Sequence, residues 1–198
     1  GEIACLTSDG ARFIDAAGRT LAKEPAYVSL DPALAEKGQY RHFMQKEIFE
    51  QQTSLLYTIR QHANLEAGSL ALEGVRLTPQ QVQRIRRVVL VGMGTSMHAA
   101  MVGRTYCERI ARLPAEVDNA SEFCHRHAQI GPDTLVVSVS QSGESVDTLA
   151  AMEVAQRCAA PQVTICNVEG AQSTRIADGA VLTRCGPEIA VASTKTLT

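Results

Sequence analysis

The sequence predicts an α/β domain, a doubly wound five-stranded parallel sheet preceded by an N-terminal hairpin, a connector and a long helix. From Val88 onward β-branched runs alternate with helical patterns: Val88–Val91, 96–111, Ala115–Asp118, 121–128, Thr134–Val139, 145–158, Gln162–Cys166, 171–177 and Ala180–Thr183. Strands and helices alternating at that spacing make βαβ units, and hence a parallel sheet covered on both faces. The chain of 198 residues, 45% hydrophobic, is long enough for one substantial core.

Ahead of the sheet, apolar runs at 2–6 and 11–14 flank Ser8-Asp9-Gly10, a turn signal that predicts a hairpin. Residues 15–41 lack periodicity and contain Gly18, Pro25, Pro32 and Gly38, which predicts an extended connector. We therefore expect a hairpin and linker at 1–41 and a complete domain at 42–198. Met44, Ile48, Leu55, Ile59 and Ala63 recur at helical spacing, with Lys46, Glu50, Gln51 and Arg60 on other faces, predicting a long amphipathic helix. Thr78-Pro79 then supplies an N-cap and a first-turn proline for a short helix reaching about Arg86.

A net charge of -2 leaves no basic field for nucleic acid or an anionic membrane. Six cysteines without a C-x-x-C pair read as reduced thiols, not as a zinc site or a disulfide framework. No apolar run is long enough to span a bilayer, and the first residues lack a signal-peptide pattern, so the expected compartment is the cytoplasm. The five histidines show no metal-ligand spacing, and no metal or cofactor is expected. The chain opens mid-pattern at Gly1 and closes after a polar loop at Thr198, as a fragment would.

The chemistry lies in the loops. The first sheet strand runs into Gly92-Met93-Gly94-Thr95-Ser96 and a helix start, where backbone N–H groups favour an anion. Met97 in the third glycine position breaks the dinucleotide fingerprint, although Asp118 could imitate a ribose-binding acid. The third strand runs into Ser140-Gln141-Ser142-Gly143-Glu144-Ser145 before another helix. In a flavodoxin-like strand order, 2-1-3-4-5, these two loops flank the point where the order reverses and share one crevice. Helix capping accounts for any one of these hydroxyls but poorly for all together, which favours a phosphate cradle. Hydrogen bonds to a charged group are worth about 1.5–3 kcal/mol each, so a few donors suffice for millimolar to sub-millimolar binding of a phosphomonoester. A third segment, Gly186–Lys195, could close over a sugar or merely leave the sheet with Ser193 as a cap, and Lys195 reads as a solvated charge. His98 reads as a partly exposed helix residue near the crevice. Neither a G-x-S-x-G elbow nor a Walker loop is present.

At these loops the sequence resembles a known family. Gly94-Thr95-Ser96, Ser140 to Thr148 and Ala192-Ser193-Thr194-Lys195 resemble the phosphosugar loops of sugar-isomerase (SIS) domains. Tyr40 to Gln51 resembles the segment joining glutaminase to isomerase in the glutamine–fructose-6-phosphate aminotransferase family. The resemblance implies that the chain ends a glutaminase domain and forms the first of two SIS halves, with the glutaminase domain and second SIS half as missing partners and a homodimer as the intact assembly. It implies fructose 6-phosphate or glucosamine 6-phosphate as ligand. It also assigns Ser140, Gln141, Ser142 and Ser145 to the phosphate loop and Thr95, Ser96, Val191 and Ser193 to the sugar.

Met93 stands where the family commonly has cysteine, and Gln52 where a proline usually follows Glu-Gln; neither removes a donor. The family's glutaminase uses an N-terminal cysteine, and its isomerase acid–base groups and Schiff-base lysine belong to the second SIS half and C-terminal tail. The resemblance thus implies a chain inactive alone, with no catalytic residue of its own. A phosphosugar sensor, or another SIS isomerase or deglycase, remains the alternative reading.

Overall fold

Strands β1 (Glu2–Thr7) and β2 (Gly10–Asp15) pair antiparallel around Ser8-Asp9, so the expected hairpin forms. The structure, a computed structural model, describes residues 1–24 and 35–198. It divides into two compact units, Gly1–Ala33 and Leu34–Thr198. In the first unit a short β3 (Thr20–Leu21) adds to β2 within the stretch expected to be a connector. An Asp15 carboxylate organises that turn, with Oδ1 accepting the N–H groups of Ala17 and Arg19 at 2.9 Å. Side-chain capping of this kind leaves no apolar period to read. The rest of the expected connector, 25–34, lies outside the described residues.

The second unit begins its regular structure with α1 (Phe43–His62), followed by the two-residue strands β4 (Ala63–Asn64) and β5 (Ser69–Leu70), a pair the sequence reading missed. The helix lies where its periodicity predicts, but its orientation is inverted. Ile48, Leu55 and Ile59 are exposed, whereas Glu47 and Ser54 are buried. Thr58 Oγ1 donates to the Thr183 carbonyl at 2.7 Å, and a His62 ring nitrogen lies 2.8 Å from the Leu182 carbonyl oxygen. Thus α1 meets residues 182–198 through polar groups, and Glu47, Thr58 and His62 satisfy backbone groups there.

Next comes α2 (Pro79–Arg84) with its capping box: Gln81 N–H donates to Thr78 Oγ1 and Thr78 N–H to Gln81 Oε1. It stops short of Arg86, whose N–H turns instead to the Asp133 carbonyl at 2.8 Å.

The sheet follows as β6 (Arg87–Gly92), β7 (Ala115–Asn119), β8 (Thr134–Val139), β9 (Gln162–Cys166) and β10 (Gly179–Leu182). All neighbours are parallel in the order β10-β9-β8-β6-β7, the expected 2-1-3-4-5. Both faces are covered. Val88, Leu90 and Val139 pack with Ala100 of α3 (Thr95–Tyr106). Val89, Val91 and Val136 pack on the other face with Phe123 of α4 (Ala120–Phe123) and with Ala151 and Ala155 of α5 (Val146–Arg157). The last helix is α6 (Gln172–Ile176).

Two helices depart from expectation. After Tyr106, α3 passes into a π-helical turn, Cys107–Ala111, closed by Arg112 in the left-handed region. The helix expected over 121–128 is the single turn α4. Arg126 is drawn back to β7, pairing with Asp118 and lying 3.6 Å from Glu116, which also meets Arg87 at 3.2 Å.

Gly92 ends β6 directly beneath the first turn of α3. A Cβ there would stand 3.0 Å from the Ser96 carbonyl carbon and 3.1 Å from Met97 N. Both are helix backbone, which cannot swing aside. Gly92→Ala is therefore expected to lose about 1–3 kcal/mol, as overpacked sites do. Urea unfolding of the two proteins checks this, and equal midpoints would refute it.

Candidate functional site

Above the C-terminal ends of β6 and β8 three loops enclose an open cleft of about 530 Å³. Winding direction creates it: α3 leaves β6 for one face and α5 leaves β8 for the other, so the sheet crest between them stays uncovered.

The β6 loop contributes Met93, Gly94 and the first residues of α3, Thr95 and Ser96, with exposed His98 one turn further on. The first hydrogen bonds of the turn run from Ser96 N–H to Met93 O and from Met97 N–H to Gly94 O. The Thr95 and Ser96 hydroxyls take no hydrogen-bond partner among the described residues.

The β8 loop is a knot of serines. Ser140 Oγ accepts the Gly143 N–H at 3.0 Å and Ser142 Oγ accepts the Glu144 N–H at 3.1 Å. Each oxygen acts there as an acceptor. Ser145 occupies the N-cap of α5 but makes no capping bond, and its oxygen lies 3.4 Å from Ser140 Oγ. Capping therefore does not consume the Ser145 hydroxyl, and Ser142 keeps a proton to donate. The loop is tied to the next segment, with Gln141 O accepting Asn167 N–H and Gly143 O accepting Ser173 N–H. Gly143 adopts φ +68, and a Cβ there would fall 2.6 Å from both Ala171 Cβ and Ser173 Oγ. Only glycine fits that crossing.

The third wall is the irregular stretch after β10. Glu188 folds it, accepting the Ser193 hydroxyl and, at 2.7 Å, the Thr194 N–H. Burial raises the Glu188 carboxyl, but the hydrogen bonds from Ser193 and Thr194 outweigh it and hold its pKa below the ordinary value. Val191 is fully exposed, and residues 190–193 line the cleft.

The structure thus brings Thr95, Ser96, Gln141, Ser142, Ser145, Val191 and Ser193 to one cleft. Ser140 is set back at 2% exposure, bracing the loop from beneath. Ser193 caps no helix; its proton is committed to Glu188, leaving its oxygen to accept. Lys195 is not a solvated charge: it is 5% exposed and ion-paired with Glu50 of α1 at 2.7 Å. Asp118, the candidate ribose acid, is held by Arg126. Sequence reading missed Glu47, Glu50 and Glu188; the signal for the first two was a pair of carboxylates three apart on one helix, facing one side.

A shallower depression of about 420 Å³ at the end of α1 has neither a helix N-terminus nor a hydroxyl cluster, and it has no comparable chemistry. Among the described residues no group of histidine, cysteine and carboxylate side chains is arranged for a metal. No helix is long and apolar enough to cross a membrane, again among the described residues.

Comparison with known proteins identifies the family. The family model described as SIS domain matches residues 81–198. A glutamine–fructose-6-phosphate aminotransferase [isomerizing] of Clostridium acetobutylicum is 41% identical over 198 residues, covering 100% of this chain and 32% of that protein. One of Mycobacterium tuberculosis is 41% identical, covering 96% of this chain and 31% of its own length. The chain therefore spans about a third of the curated relatives it matches. Among solved structures, the C-terminal domain of glucosamine-fructose-6-phosphate aminotransferase from Francisella tularensis superposes with a TM-score of 0.74 at 33% identity, covering 82% of this chain and 45% of that one. The tagatose-6-phosphate ketose/aldose isomerase from Escherichia coli shares the fold at TM-score 0.63 and 18% identity, over 79% of this chain and 44% of that one.

The lowered Glu188 pKa gives a signed expectation. A carboxyl depressed on folding contributes stability above its unfolded pKa and loses it as pH falls through the folded value. The stability advantage of wild type over Glu188→Gln is expected at neutral pH and should shrink as pH falls below the ordinary carboxylate range. Urea unfolding across that range checks it; an advantage that grew on acidification would contradict the assignment.

Proposed function

The chain belongs to the SIS-domain family, and on that premise we propose that it is the phosphosugar-binding half of the isomerase part of a glutamine–fructose-6-phosphate aminotransferase. In this reading residues 42–198 are the first SIS unit and residues 1–41 the end of the glutaminase domain with its connector. The intact enzyme, a cytoplasmic homodimer, converts fructose 6-phosphate and glutamine to glucosamine 6-phosphate and glutamate.

The observation that carries the proposal is the convergence of uncommitted hydroxyls from two helix starts on one cleft. A phosphate dianion seated before α5 takes O–H donors from Ser142 and Ser145 and faces the positive end of the helix. Thr95 and Ser96 approach from the α3 side, and the sugar extends toward residues 190–193. Gln141, half-buried at the cleft wall, supplies an amide that can donate or accept.

Catalysis is another matter. Moving a proton between neighbouring sugar carbons needs an acid–base pair close to the ring. Among the lining residues His98 is the one with an ionisable side chain. The chain by itself binds the substrate and supplies no complete proton-transfer machinery, which belongs to the second SIS half and tail.

Titration of the chain with fructose 6-phosphate and glucosamine 6-phosphate tests the reading. Each of Ser142→Ala and Ser145→Ala is expected to weaken binding by somewhat more than about tenfold, the lower end of the range for a hydrogen bond to a charged group. Unchanged affinity in both variants would remove the cradle. Purified chain supplied with fructose 6-phosphate and glutamine or ammonia should form no glucosamine 6-phosphate, and detectable product would overturn the division of labour.

A further inference from the structure

We infer that Glu47 and Glu50 of α1 are positioning residues that set the sugar-side wall of the cleft without touching the ligand. Helical spacing puts residues 47, 50, 51 and 54 on one side of α1, and that side faces the segment after β10. Glu47, 2% exposed, accepts two consecutive backbone donors on one oxygen, Ile189 N–H at 2.6 Å and Ala190 N–H at 3.1 Å. A carboxylate so deeply placed persists only because it answers those N–H groups. Five residues further along the segment from Ala190, buried Lys195 is fastened to Glu50 at 2.7 Å, and Gln51 Oε1 accepts the Thr198 hydroxyl at 2.5 Å. Residues 190–193, which line the cleft, lie between these two anchor points.

The serine loop is fastened elsewhere. Its backbone bonds run to Asn167 and Ser173, and Glu144 accepts the Gln172 N–H at 2.7 Å. The two walls share Asn167, whose N–H meets Gln141 O and whose side chain holds Cys185 N–H and Gly186 O, but beyond Gly186 the sugar side is held from α1, whereas the phosphate side is held from β9 and α6. Recognition of bare phosphate and of a hexose phosphate should respond differently to changes in α1. This inference rests on the reading of the cleft as a phosphosugar site.

The test compares wild type with Glu47→Ala, Glu47→Gln and Lys195→Met. Glu47→Gln keeps side-chain volume and an acceptor oxygen, which protects against loss of the fold. Affinity for fructose 6-phosphate, measured calorimetrically, is expected to fall about tenfold in Glu47→Ala and Lys195→Met, and less in Glu47→Gln. Affinity for inorganic phosphate, measured by phosphorus NMR, should stay within about twofold. Amide hydrogen exchange should quicken over 188–195 and remain unchanged over 140–145. Equal losses for both ligands, with faster exchange throughout, would mean a general structural role and overturn the inference. Unchanged exchange over 188–195 would overturn it as well, whatever the ligands do. Wild type that binds phosphate but neither hexose phosphate would sink the functional reading, and the exchange pattern alone would then decide the anchoring.

Discussion

The reversal of winding at β6 governs what the rest of this chain can do. Because β6 has β8 on one side and β7 on the other, the helices that follow β6 and β8 must descend opposite faces of the sheet. Their N-termini stay at the crest, separated by a gap that no side chain of the core fills. The polar groups of the β6 and β8 loops are placed by that parting, with Gly92 fitted closely beneath α3 and Gly143 against α6.

Within the gap the hydroxyls follow a division of roles. Ser140 and Ser142 receive backbone N–H groups of their own loop, which fixes the turn, while a hydroxyl that accepts still has a proton to give. Ser145 sits in a capping position and does not cap. Ser193 is the reverse case, its proton taken by Glu188. The cleft therefore presents donors from the serine loop and an acceptor from the wall at 190–193, without a lysine or arginine among its lining residues.

The parts legible in the sequence were those encoded locally. Thr134–Val139 and Gln162–Cys166 stand out as β-branched runs between turn residues, and the hydroxyl clusters announce themselves by following such runs directly. The alternation made the sheet parallel, and the flavodoxin-like order taken for it is the order found. What escaped were relations across the chain. Nothing near Lys195 signals that Glu50, 145 positions away, will neutralise it. The apolar period of α1 pointed to the wrong inward face, since a buried carboxylate holding backbone N–H groups leaves no periodic trace. The brevity of α4 likewise depends on where Arg126 finds its carboxylates.

Those same carboxylates bear on how the sheet ends. Among the described residues β7 is an outermost strand paired with β6 alone, and such a margin is an open template on which another chain can lay a strand. Here Arg87, Glu116, Arg126 and Asp118 interlock along it. An incoming strand would have to strip water and partners from charges at successive steps. The cluster that removes Asp118 from ligand chemistry also blunts the sheet against edge-to-edge growth and aggregation.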